Sequence, residues 1–130
     1  MVLPDTSAWI PYFRSGRSGE AEHLSELIES GAVATCGPVV AELIAGCDDE
    51  QRLLLLETIM DLPWAELDAS GWLQVGDVAR QLRQAGQKLP LTDLAIAVAA
   101  SRAGYALWSF DSDFERIRPA LPDLELHRAS

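Results

Sequence analysis

Short apolar runs alternate with amphipathic stretches along the whole chain. This alternation is typical of an α/β domain with a mainly parallel sheet, since each strand is followed by a helix that returns the chain. The runs that predict strands lie at residues 1–3, 32–36, 63–67, 105–109 and 124–126, and the last is expected at an edge of the sheet.

Apolar residues at helical spacing predict helices in the segments between these strands. The expected helices span about residues 7–13, 20–30, 39–45, 70–85, 94–103 and 115–118, with one more beginning at Asp48, and residues 15–19 are expected to form a loop. The helix at 94–103 is apolar on nearly every side, which predicts that it is buried.

Length and composition predict one soluble domain over residues 1–130. A chain of 130 residues has the commonest domain size, and 48% hydrophobic residues argue against disorder. The longest apolar run, residues 94–100, is far shorter than the roughly 20 residues of a membrane span. The first ten residues lack the features of a signal peptide, so we expect a cytoplasmic protein.

The charge balance argues against a simple nucleic-acid binder. The formal net charge is −10, whereas such proteins normally carry a basic surface. A bound divalent cation would change the sign of the potential locally, and an acidic chain also suits a partner with a basic segment. Cys36 and Cys47 have neither CxxC spacing nor a neighbouring histidine, so we expect two small buried thiols and no zinc site.

Four acids stand at places where acids are unusual, namely Asp5, Glu42, Asp93 and Asp111, and Asp113 lies beside the last of them. Asp5 follows the first strand and Asp111 follows the fourth, and ligands of open α/β sheets bind at the carboxyl ends of strands. No lysine or arginine lies within four residues of Asp5, Glu42 or Asp93. Carboxylates brought together would repel one another and take up protons, unless a hard cation such as Mg²⁺ or Mn²⁺ neutralised them.

Each acid also has a local explanation. Asp5 and Asp93 stand where an aspartate caps a helix, and Glu42 has the position of a solvated helix residue. Asp111 and Asp113 fit an Asx turn. Taken singly, none of the five establishes a metal site.

Four segments in order resemble the PIN domain and, within it, the VapC-like toxins. They are MVLPDTSAWI, PVVAELIAG, LTDLAIAVAASRAGYAL and WSFDSDFERI, and together they extend over essentially the whole chain. The resemblance implies a three-layer α/β fold with a mainly parallel central sheet flanked by helices. It also implies the catalytic and metal-binding acids Asp5, Glu42, Asp93 and Asp111, with Asp113 as a helper or alternative ligand, and Thr6 and Ser109 in support.

The resemblance further implies a ribonuclease that uses one or two Mg²⁺ or Mn²⁺ ions, forms a homodimer and is inhibited by a VapB-like antitoxin. Arg116 and Arg118 follow the fourth motif and are the best candidates for RNA contacts. Two positions depart from the family pattern. Ser109 replaces a commoner threonine, and Pro4 lacks a ladder donor, so we expect the first strand to end early or to bulge.

Other classes of function compete with this hypothesis. A PIN-like module that binds RNA or protein without cleaving is the nearest alternative. A haloacid-dehalogenase-like phosphatase would need a second aspartate two residues after Asp5, where the chain has Ser7, and a suitably placed lysine, whereas Lys88 is the only one. A protein whose acids serve only solubility is the third alternative.

Overall fold

A parallel sheet forms the centre of the molecule. The computed structural model describes residues 1–14 and 19–128. Strands β1 (Val2–Pro4), β2 (Ala106–Trp108) and β3 (Glu125–Leu126) pair in parallel in the order β1-β2-β3. Single bridges from Val2 to Val33 and from Thr35 to Trp64 continue the sheet beyond β1. The strand order therefore reverses between β1 and β2, where ligands of such sheets bind.

Helices cover the sheet, which confirms the predicted α/β class. In chain order they are α1 (Thr6–Phe13), α2 (Gly19–Glu29), α3 (Gly37–Ala45), α4 (Asp49–Ile59), α5 (Ala69–Gln84), α6 (Leu91–Ala103) and α7 (Asp113–Ile117), followed by a 3₁₀ turn (Arg118–Ala120). Within the part of the chain that the structure describes, no helix has the length and apolar character needed to cross a bilayer.

Helix α6 is the centre of the core. Residues 94–100 are all buried, and the helix packs against α3, α5, α7 and β2. Neighbours on every side explain why its sequence is apolar nearly all round. Gly104 ends the helix in the left-handed conformation, with φ of 73°, which glycine adopts without steric cost.

Two predicted strands are shorter than expected. Residues 32–36 and 63–67 make only the single bridges at Val33, Thr35 and Trp64. Val2 donates its N–H to Ala32 on this side of the sheet, so Pro4, two residues later, faces the same side without an N–H to donate. The missing donor limits pairing here to one bridge.

The expectation that β1 ends early at Pro4 is wrong. The strand runs through Pro4, which pairs with Trp108 of β2. Pro4 removes no hydrogen bond to β2, because the N–H groups that face β2 come from the residues on either side of it. The next of these groups, the N–H of Asp5, donates to the Trp108 carbonyl at 2.9 Å.

The helix boundaries follow local capping. Asp5 caps α1, Asp48 forms a capping box with Gln51 at α4, and Asp68 caps α5. Helix α7 begins at Asp113, two residues before the predicted start. Of the predicted loop at 15–19, residues 15–18 lie outside the described residues and Gly19 begins α2.

The two predicted thiols differ in burial. Cys36 is buried, which raises the pKa of its thiol to about 11, and Cys47 is half-buried. Both are free, so neither forms a disulfide.

A pair of histidines ties the C-terminal segment to α2. The Nε2 atoms of His23 and His127 lie 2.9 Å apart, and the ring planes are nearly parallel, with an angle of 11° and centroids 5.2 Å apart. Both rings meet Trp108 edge to face. This distance fits one N–H···N hydrogen bond between the two rings. If both Nε2 atoms carried a proton, that hydrogen bond would be lost.

We expect the pair to make stability fall in acid. Burial, and secondly His23, lower the pKa of His127 from its ordinary 6.5, so the unfolded chain binds more protons below that pH. The part of the free energy of unfolding that comes from His127 should therefore drop between about pH 7.5 and about pH 5.5, so the wild type should lose stability relative to His127→Asn, which has no titrating ring at this position. Urea unfolding at both pH values measures this. Equal drops in the two proteins would contradict it.

Candidate metal centre

The candidate site lies at the carboxyl ends of β1 and β2. Pro4 pairs with Trp108, so the next residues along each strand, Asp5 and Ser109, are neighbours. Asp111 follows in the β2–α7 loop, and Asp93 lies in the first turn of α6. The sheet register and the position of α6 thus place the sequence-predicted acids at the point where the strand order reverses.

Asp5 is the buried member of the site, with 5% of its surface exposed. Its Oδ1 accepts hydrogen bonds from Ser7 Oγ at 2.6 Å and from the Ala8 N–H at 3.1 Å, and its Oδ2 accepts one from Ser109 Oγ at 2.5 Å. Burial raises the pKa of Asp5, and these hydrogen bonds oppose the rise. Since each carboxylate oxygen has two lone pairs, Oδ2 has room for one further partner.

Ser7 links α1 to the β2–α7 loop. Its Oγ accepts the Phe110 N–H at 3.0 Å and lies 3.3 Å from Ser109 Oγ, which in turn accepts the Asp111 N–H at 2.9 Å. The hydroxyls therefore hold the loop that carries Asp111 beside Asp5. Sequence reasoning missed this role of Ser7, and its position two residues after Asp5 was the only signal for it.

The structure brings three carboxylates closest together. Oxygens of Asp93, Asp111 and Asp113 lie within 4.8 Å of one another. Burial raises the pKa of Asp93 to about 6, and the charges of Asp111, Glu42, Asp5 and Asp113 add to the rise in that order. Repulsion thus reaches Asp93 from all four other acids, as the clustering hypothesis expects.

The local explanations fare differently for the individual acids. Asp5 does cap α1, and Asp111 Oδ1 accepts the Asp113 N–H at 2.9 Å, as in an Asx turn. The capping explanation of Asp93 is wrong, because the N-cap of α6 is Pro90 and Asp93 already lies inside the helix. Asp93 therefore has a half-buried carboxylate for which helix capping gives no reason.

Glu42 lies outside the group of three. Its side chain is exposed on α3, and Thr6 Oγ1 donates to its Oε1 at 2.8 Å. This bond joins α1 to α3 and orients the carboxylate, while Glu42 still contributes to the raised pKa of Asp93. Asp5 and Glu42 therefore flank the three closest acids on the side of α1.

One cationic side chain of the described residues, that of Arg116, contacts the acids of the site. Arg116 Nη1 lies 2.7 Å from Asp113 Oδ1, and the guanidinium also donates to Gln87 Oε1 through Nε at 3.0 Å and through Nη2. Among the described residues, the other four acids form no ion pair. Arg116, a predicted RNA contact, is thus bound to Asp113, and Arg118 is exposed in the 3₁₀ turn.

The donors suit a hard divalent cation. All are carboxylate oxygens, the ligands that Mg²⁺ and Mn²⁺ prefer, and no histidine or cysteine of the described chain belongs to the group. Burial contributes most to the raised pKa of Asp93, and the four neighbouring carboxylates raise it further although Arg116 lies beside one of them. A cation at this point would remove the repulsion that the protein otherwise carries.

Sequence comparison connects this arrangement with known proteins. The profile described as PIN domain matches residues 2–119. VapC ribonuclease Mb1587 of Mycobacterium bovis and ribonuclease VapC11 of Mycobacterium tuberculosis are each 33% identical to the chain over 122 residues, which cover 90% of this chain and 91% of theirs.

Solved structures share the fold. VapBC from Salmonella typhimurium, bound to DNA, has a TM-score of 0.77 at 20% identity and covers 97% of this chain and 96% of its own. VapBC2 from Rickettsia felis, bound to a promoter fragment, has a TM-score of 0.76 at 22% identity and covers 98% of each chain. Together with the profile match and the 33% identity, this fold shows that the chain belongs to the PIN domain family, and within that family to the VapC ribonucleases.

Proposed function

We propose that the chain is a metal-dependent endoribonuclease that acts as the toxin of a toxin–antitoxin pair. The observation that carries the proposal is the group of Asp93, Asp111 and Asp113 beside Asp5, in a chain one-third identical to VapC ribonucleases. The profile match over residues 2–119 supports one domain over the whole of 1–130.

In this proposal the acids hold one or two Mg²⁺ or Mn²⁺ ions. Asp93 and Asp111 are the central ligands, Asp5 adds its free Oδ2 position, and Glu42 adds a ligand from α3. Asp113 is the weaker candidate, because Arg116 already occupies its Oδ1. A bound ion would supply activation of water and neutralisation of phosphate charge.

The surrounding residues fix the acids before substrate arrives. Ser7 and Ser109 hold the buried Asp5 in one orientation, and Thr6 holds Glu42 through one oxygen. The second oxygen of Glu42, on the exposed side chain, is then the atom that this residue offers to a metal ion. Groups oriented in advance cost no reorganisation during the reaction, which is how such sites accelerate it.

The partners follow from family and charge. We infer an RNA substrate and a cognate VapB-like antitoxin whose basic segment neutralises a chain of net charge −10. The structural relatives from Rickettsia felis and Salmonella typhimurium are VapBC complexes bound to DNA, which supports a pair of this kind. We also infer a homodimer and a cytoplasmic location. All five acids are present at the site, so no observation favours a module that has lost cleavage.

For the proposed function, the first prediction is that Asp93→Asn changes stability in opposite directions with and without metal. Because the pKa of Asp93 is raised to about 6 from 3.8, the folded wild type loses stability as pH rises through that interval. At neutral pH in chelator, the uncharged variant should be more stable, by about 1–2 kcal/mol after allowance for solvent screening. With millimolar Mn²⁺ the wild type should gain stability and the variant should gain little.

Thermal unfolding in both buffers measures this crossover. Asp77→Asn, an exposed acid on α5, is the matched control and should change neither value appreciably. If the variant gained as much from Mn²⁺ as the wild type does, Asp93 would not be a ligand.

The second prediction concerns cleavage. Purified, antitoxin-free protein should cut total RNA, including transfer RNA, at discrete sites in Mg²⁺ or Mn²⁺ and should be inactive in chelator. Asp5→Asn should lower the rate by about 100-fold or more, on the scale of losing a pre-oriented electrostatic group, while Asp77→Asn cuts normally. Sequencing of the cut ends reads the result. Folded wild type that cut no RNA in any metal would shift weight to the binding-module alternative.

A further inference from the structure

A cavity of about 260 Å³ adjoins the acidic site. It lies between the β2–α7 loop and the segment after β3, and its lining includes Ser109, Phe110, Asp111, Glu115, His127 and Arg128. Ser109 and Asp111 belong to the acidic site as well. A ligand in this cavity therefore lies directly beside the metal centre.

Phe110 gives the cavity a fixed aromatic surface. Its side chain is 50% exposed, although it is large and apolar. Its N–H is bound by Ser7 Oγ, and its ring meets Trp108 edge to face with centroids 5.7 Å apart and an angle of 80°. An aromatic ring that is both exposed and held in place offers a face on which a flat group stacks at little entropic cost.

Polar residues line the cavity as well. His127 donates its N–H to the Leu107 carbonyl at 2.8 Å, and its ring is bound to His23. Arg128 Nη2 lies 2.6 Å from Glu115 Oε1, and both side chains are largely exposed. An exposed ion pair contributes little, so Arg128 can exchange Glu115 for a phosphate without a large penalty.

We propose that this cavity binds one unpaired nucleotide of the RNA substrate, with the base on Phe110 and an adjoining phosphate on Arg128. The volume lies just below the roughly 300–1,000 Å³ of small-molecule sites, so the cavity takes no more than a single nucleotide. Recognition of RNA in this way requires a base outside a helix, stacked on an aromatic ring or a guanidinium. The inference rests on the proposed function and adds to it a subsite for one base and its adjoining phosphate.

Binding tests the cavity independently of cleavage. Fluorescently labelled octamers of A, C, G and U are titrated in Mg²⁺ against proteins that all carry Asp93→Asn. Added Phe110→Ala should weaken binding of the preferred octamer by about 5- to 150-fold, the range for loss of one stacked base, and Phe110→Trp should restore it. Leu73→Ala is the matched control, because Leu73 is 72% exposed on α5 and does not line this cavity.

Arg128 has a separate readout. If it contacts one phosphate, Arg128→Gln should reduce the slope of log affinity against log salt concentration by about 0.7, the value per phosphate of a single strand. A merely structural role of Arg128 would leave this slope unchanged.

Cleavage separates failure of the cavity from failure of the nuclease. In an otherwise wild-type background, Phe110→Ala should still cut RNA but with weaker base preference next to the cut, and Phe110→Trp should keep the preference. Normal cutting with unchanged preference and unchanged octamer binding in Phe110→Ala would overturn the cavity and leave the nuclease intact. If the wild type cut no RNA and octamer binding still depended on Phe110, the nuclease proposal would be overturned and the cavity proposal would stand.

A protein occupant is the other outcome. If Phe110→Ala weakened retention of the antitoxin that co-purifies with the tagged chain and left octamer binding unchanged, the cavity would belong to the protein partner. The RNA proposal would then be wrong.

Discussion

Repulsion among carboxylates is the constraint on which this structure depends. Five acids influence one another at the reversal of strand order, and burial together with the other four charges raises the pKa of Asp93 to about 6. A protein gains no stability from such an arrangement, since desolvation and like charges both oppose the ionised form. The cluster is explained by a site that binds a cation. Without a cation, other interactions in the fold must offset the unfavourable free energy of the clustered carboxylates.

Hydrogen bonds from hydroxyl groups and the packing of a buried helix offset this unfavourable free energy. Ser7 and Ser109 donate to Asp5, so its burial does not leave a carboxylate without partners. Asp93 lies at the start of α6, whose next seven residues are all buried, so the position of this acid is as rigid as the core. The geometry of the site is therefore fixed by packing and by a small hydrogen-bond network, and among the described residues only Asp113 has an arginine beside it.

The same arrangement accounts for an acidic protein that acts on a polyanion. The net charge of −10 does not favour RNA at a distance, and affinity must come from close contacts. Beside the cluster the chain offers an aromatic face at Phe110 and a cation at Arg128, the two kinds of group that bind an unpaired nucleotide. A partner with a basic segment meets the acidic surface more readily than RNA does, which suits a toxin that an antitoxin holds in check.

The sequence by itself determined the α/β class, the buried helix α6, the cap at Asp5, the start of α4 near Asp48 and the order of the acidic motifs, because these depend on neighbours a few residues away. The assignments of catalytic and metal-binding roles stay predictions. Only the tertiary structure decided which acids lie closest, that Ser7 links two strand ends, that Arg116 binds Gln87, and that His23 meets His127 from 104 residues away. The tertiary structure also decided that β1 continues through Pro4. The effect of the missing N–H depends on which neighbouring strand lies on that side of β1, and the sequence alone does not show this. Contacts between distant segments leave no periodic trace in a single sequence, so their geometry appears only when the chain is folded.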